Sequence, residues 1–79
     1  MARSLIMRKK WRLKLFPSFT YQPESSMRKA YERVEQLRSD YAAGHSHTHH
    51  VNVEVDDGSG WALYERIVFP AAGSASGAR

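Results

Sequence analysis

The rhythm of hydrophobic and polar positions changes along this chain. Trp11, Leu13 and Leu15 alternate with Arg12 and Lys14, and Pro17 follows. A period of two is the mark of a strand with one buried face. Met7, Trp11 and Leu15 also lie at helical spacing, so a basic amphipathic helix over the first 15 residues competes with this reading. The Trp/Leu alternation running into a proline favours the strand. Phe19-Thr20-Tyr21 extends it briefly. Beyond it, Met27, Ala30, Tyr31, Val34, Leu37 and Tyr41 trace one stripe of an α-helix.

The stripe predicts a helix over 23–43. Pro23 suits the first helical position, Glu24 suits the positive end of the macrodipole, and Gly44 offers a left-handed stop. Arg28, Lys29, Glu32, Arg33, Glu35, Gln36 and Asp40 fall on the opposite face, with Glu24–Arg28 and Arg28–Glu32 as i,i+4 pairs. Val51, Val53 and Val55 then alternate with Asn52, Glu54 and Asp56 as a second strand. Asp57-Gly58-Ser59-Gly60 has the chemistry of a turn. Trp61 to Tyr64 and Ile67 to Phe69 form a third strand whose parity is broken. Trp61, Leu63, Ile67 and Phe69 would share a face with charged Glu65, which a bulge near Glu65-Arg66 or an edge position resolves.

Strand, helix, strand, strand is most economically an α+β fold: a two-layer βαββ domain with one helix on a three-stranded sheet. Its last two strands should form an antiparallel hairpin; the direction in which the first strand joins them is left open. The expected layout is a flexible basic arm over 1–9, one domain over 10–69 and a disordered Ala/Gly/Ser tail over 70–79. A domain of about 60 residues buries only about 60% of its unfolded surface. Homodimerisation is therefore weighed beside a lone monomer.

Composition narrows the classes. The chain has 79 residues and no cysteine, which leaves neither a disulfide framework nor a thiolate metal site. No apolar run approaches the roughly 20 residues that cross a bilayer. Leu5-Ile6-Met7 is too short for a secretory core, so a cytoplasmic location is expected. The net charge of +4 is unevenly placed. The first 14 residues carry six bases and no acid, whereas the remaining 65 sum to −2. The Met-Ala-Arg start, the preference for Arg and the small-residue tail resemble, in composition only, small reading frames of high-GC actinobacteria and their phages.

Candidate chemistry is sparse. Arg8, Lys9, Lys10, Arg12 and Lys14, near Trp11 and several other aromatics, would suit a phosphate backbone or an acidic surface. No helix-turn-helix, RNP motif, GXXG clamp or zinc finger accompanies them, and Trp11 fits a core position better than a stacking platform. Leu5, Ile6, Met7 and Trp11 are too few for a membrane-surface helix. His45, His47, His49 and His50 are metal-capable imidazoles, but they crowd a polar helix-to-strand connector without a completing ligand motif. Catalytic triads, phosphate loops and dinucleotide fingerprints are missing from the sequence, and no cofactor is expected. Of the aromatics, Phe19, Tyr21 and Tyr64 are those a small core would leave out, and such side chains anchor interfaces. The expectation is a non-enzymatic interaction protein that docks on another protein. The alternative is a DNA- or RNA-binding accessory protein using the basic arm and first strand.

Overall fold

The computed structural model describes residues 8–70. Its elements are β1 (Lys10–Phe16), β2 (Thr20–Glu24), α1 (Met27–Ala42), β3 (His50–Asp56) and β4 (Trp61–Val68). The strands lie in the order β2-β1-β3-β4, and every neighbouring pair is antiparallel. One helix covers one face of this sheet, so the α+β two-layer class holds with four strands in place of three. The ends of the expected layout, 1–7 and 71–79, lie outside the described residues; Arg8, Lys9 and Pro70 are exposed and belong to no helix or strand.

The extra strand has a physical reason for escaping the pattern. In β2 the positions facing the helix are Thr20, Gln22 and Glu24, so no apolar alternation marks it. Pro23 sits there at a sheet edge, where a missing amide donor is tolerated, and not at a helix start. The helix begins at Met27 behind Ser26, whose Oγ accepts from the Lys29 amide at 3.1 Å. Glu24 consequently reaches Arg33, 3.5 Å away, and not Arg28; the Arg28–Glu32 pair forms as expected at 3.0 Å. Because the β1–β2 hairpin reverses the chain before α1, β1 and β3 run antiparallel.

The helix ends in a Schellman turn. Gly44 takes φ +81°, its amide donates to the Tyr41 carbonyl at 3.1 Å, and the His45 amide donates to the Asp40 carbonyl at 2.8 Å. Beneath the helix, Leu13, Val51 and Val53 meet Ala30 and Val34, with Trp11 and Phe69 closing the ends. Leu15, Tyr31, Leu37, Tyr41, Val55 and Ile67 pack around this small core half-buried.

The parity break in β4 is a bulge. Val53 pairs with Glu65 but the next residue, Glu54, pairs with Leu63, which leaves Tyr64 as the unpaired insertion. The bulge therefore lies one residue before the predicted place. Trp61 and Leu63 are turned to the face away from the helix, while Glu65 and Ile67 stay on the helix side. Glu65 is satisfied there by the Tyr31 hydroxyl, which donates to it at 2.6 Å. Burial, and then the Glu65 carboxylate, hold the Tyr31 phenol above its ordinary pKa.

Candidate interaction surface

Register fixes the membership of the uncovered sheet face. Lys10, Arg12, Lys14 and Phe16 come from β1, Tyr21 and Pro23 from β2, His50, Asn52, Glu54 and Asp56 from β3, and Trp61, Leu63, Arg66 and Val68 from β4. Among the described residues no element covers it. Seven large hydrophobic side chains are exposed among the described residues: Phe19, Tyr21, Met27, Trp61, Leu63, Tyr64 and Val68. Four of these, Tyr21, Trp61, Leu63 and Val68, lie on this face. Phe19 joins them from the β1–β2 turn, edge-on to Phe16 with ring centroids 5.0 Å apart.

Arg12 organises the centre of the face. Its Nε donates to Glu54 Oε1 at 2.7 Å, and its guanidinium carbon lies 4.0 Å from the ring centroids of both Tyr21 and Trp61. One cation thus bridges aromatics from β2 and β4, strands separated by two others. Lys14 stands 5.4 Å from the centroids of Phe19 and Tyr21 and 5.5 Å from that of Phe16. Arg66 Nε donates to Asn52 Oδ1 at 3.1 Å. At the β3–β4 end, Asp56 Oδ1 accepts from the Gly58 and Gly60 amides at 2.8 and 3.0 Å, closing the turn. Neighbouring Asp57 is held below the usual carboxylate range, chiefly by the Ser59 hydroxyl that donates to it.

The basic residues named from sequence divide by environment. Lys10, Arg12 and Lys14 project from one face of β1, and Arg8 and Lys9 lead into it. Trp11 is buried, as its alternation implied. Of the three expected interface aromatics, Phe19 and Tyr21 are brought together, but Tyr64 is not. The bulge places it on the helix side, edge-on to Trp11 at a centroid separation of 5.1 Å. Trp61 and Leu63 take its place on the open face; sequence reading missed them because a strict period of two assigns them to the core. The signal was the misfit of Glu65.

The histidines do not converge. His45 and His47 are exposed in the connector, whereas His49 and His50 bring their Nδ1 atoms to 2.9 Å. His50 also stacks on Phe16, with centroids 4.3 Å apart and planes within 10°. Its pKa is lowered, first by burial and then by the charges of His49 and Arg66. Among the described residues no group of three His, Asp or Glu side chains is placed to hold a metal ion. None of the helices described is long and apolar enough to cross a membrane.

Compared with known protein families, curated proteins and solved structures, the chain shows no match.

Proposed function

We propose that this chain is a small non-enzymatic interaction protein that docks on another protein through the open face of its sheet. One observation carries the reading: among the described residues, most of the exposed large apolar side chains gather around that face, beside cations. Exposed Tyr, Trp and Arg in one patch are the composition of binding hot spots. Scattered surface apolar residues need no such account, but a contiguous group does.

Nucleic-acid binding is the second reading, favoured by Lys10 and Lys14 beside Phe19 and Tyr21. It is weaker because Arg12 already lies against the rings of Tyr21 and Trp61, which a base would have to share. Lys10 and Lys14 are also separated along β1 by the Arg12–Glu54 pair, so the cations do not form a continuous track for a phosphate backbone.

The test is nuclease-treated capture from cells of the source organism, followed by affinity measurement with the purified partner. Wild type is compared with Phe19→Ser/Leu63→Ser on the open face and with Arg28→Ser/Glu35→Ser on the helix exterior. Docking by the open face loses the partner only in the first variant, with circular dichroism unchanged. Equal loss in both, or loss on nuclease treatment alone, overturns it.

A further inference from the structure

We infer that the surface received by the open face is an acidic protein segment, with carboxylates spaced to meet Lys10, Lys14 and Arg66. The inference rests on the docking role proposed above and specifies the chemistry of the partner.

The charges of the face are unequally engaged. Both of its acids are occupied internally. Glu54 pairs with Arg12 at 2.7 Å, and Asp56 accepts the two amides of its own turn. Among the described residues, by contrast, Lys10, Lys14 and Arg66 form no ion pair. Arg66 spends its Nε on the neutral Asn52 side chain, which leaves the two terminal nitrogens of its guanidinium for a carboxylate. Lys14 is propped over three rings and holds its charge above apolar surface. The face therefore carries a net positive charge, with Lys10, Arg12, Lys14 and Arg66 against Glu54 and Asp56, set among Phe19, Tyr21, Trp61, Leu63 and Val68.

Register gives the spacing. Lys14 is opposite Asn52, and Asn52 is opposite Arg66, so the two cations stand two strand separations apart, about 10 Å at their Cα atoms. Lys10 and Lys14 are four residues apart on one strand, about 13 Å. An extended partner segment laid along β1 spans the Lys10–Lys14 distance in four residues, and Arg66 lies about 10 Å to one side of that line. Acidic residues at i,i+4, which share one face of an extended segment, match Lys10 and Lys14 with apolar residues between them, and Arg66 takes a further carboxylate from a neighbouring part of the partner.

A second copy of this chain is a poor occupant, because apposing two open faces brings like charges together. A nucleic acid offers a continuous track of phosphates, whereas these cations are isolated points separated by apolar side chains and by Glu54.

The experiment titrates the full chain, with amide resonances assigned, against three probes. These are a synthetic extended peptide of about 12 residues with Glu at every fourth position among Val and Tyr, the same peptide with Lys for Glu, and oligothymidylate of similar reach, about 40 Å. The Glu peptide is expected to shift open-face positions of β1 and β4 and to bind at least about tenfold tighter than the Lys peptide. Lys14→Glu/Arg66→Glu should invert that preference.

Failure of the Glu peptide to bind at millimolar concentration overturns the inference, as does equal or tighter binding of the Lys peptide. Tighter binding of oligothymidylate at the same positions overturns it in favour of nucleic acid. Shifts confined to the helix exterior also refute it. These outcomes leave the capture comparison intact, so an error about acidity is separable from an error about docking.

Discussion

Replacing Arg12 by Lys tests whether that side chain is a structural clamp of the open face. The substitution keeps the charge and allows one bond to Glu54. It removes the planar guanidinium that lies 4.0 Å from both Tyr21 and Trp61 while its Nε holds Glu54. Lys is a point charge on a flexible stem and cannot satisfy three neighbours at once. Each cation–π contact at a partly exposed site contributes about 0.5–1 kcal/mol, so losing both costs about 1–2 kcal/mol. For a domain of this size that corresponds to a fall in Tm of roughly 5–15 °C. The assay is urea unfolding followed by circular dichroism, with an unchanged m-value as the sign that the native state is retained. A cycle with Trp61→Leu isolates one ring. In that background Arg12→Lys should be cheaper by about 0.5–1 kcal/mol. A cost below about 0.5 kcal/mol, or no coupling to Trp61, refutes the clamp and returns Arg12 to the cations available for a partner.

Three further outcomes follow from the same geometry. Leu13 is fully buried and Leu63 is 58% exposed, so Leu13→Ala should cost about 2–5 kcal/mol and Leu63→Ser less than about 1 in thermal or urea unfolding; similar costs would mean the open face is core. Phe19 holds φ at 60°, a left-handed conformation costing about 1–2 kcal/mol for a side chain. Phe19→Gly should therefore be no less stable than wild type, while weakening the partner, and marked destabilisation would contradict this. His50 has a lowered pKa, so the unfolded chain binds its proton more readily than the folded one. Its contribution is intact above about pH 6.5 and is lost as pH falls from there through the lower folded value. His50→Gln should flatten that part of the stability–pH curve, and an unchanged slope would show that the loss arises elsewhere.

The strands and helix whose buried faces carry strong apolar periodicity were legible in the sequence. β1, the body of α1 and β3 stand where Trp11/Leu13/Leu15, Ala30/Val34 and Val51/Val53/Val55 placed them, because a buried face imposes its period on the residues that fill it. β2 was not legible as a strand of its own. It is an edge strand with polar residues on the covered side, and its Pro23-Glu24 resembles a helix opening. Half of the surface was legible for a similar reason. Lys14 pointed outward by simple alternation and Tyr21 as an aromatic a small core would leave out, whereas Trp61 and Leu63 are outward only because Tyr64 is an inserted residue. The Arg12–Glu54 pairing was hidden too, since 42 residues separate the partners in the chain.

Both margins of the sheet are poor templates for growth. β2 is five residues long and contains Pro23, and β4 is interrupted at Tyr64, two devices that discourage a further strand from adding. Pairing β4 with its own copy in registers centred on Glu65 or Arg66 also sets like charges opposite each other. The molecule can thus carry a sticky plane without seeding fibrils. Association is steered to stacking against that plane, which saturates after one layer, and away from edgewise polymerisation, which does not.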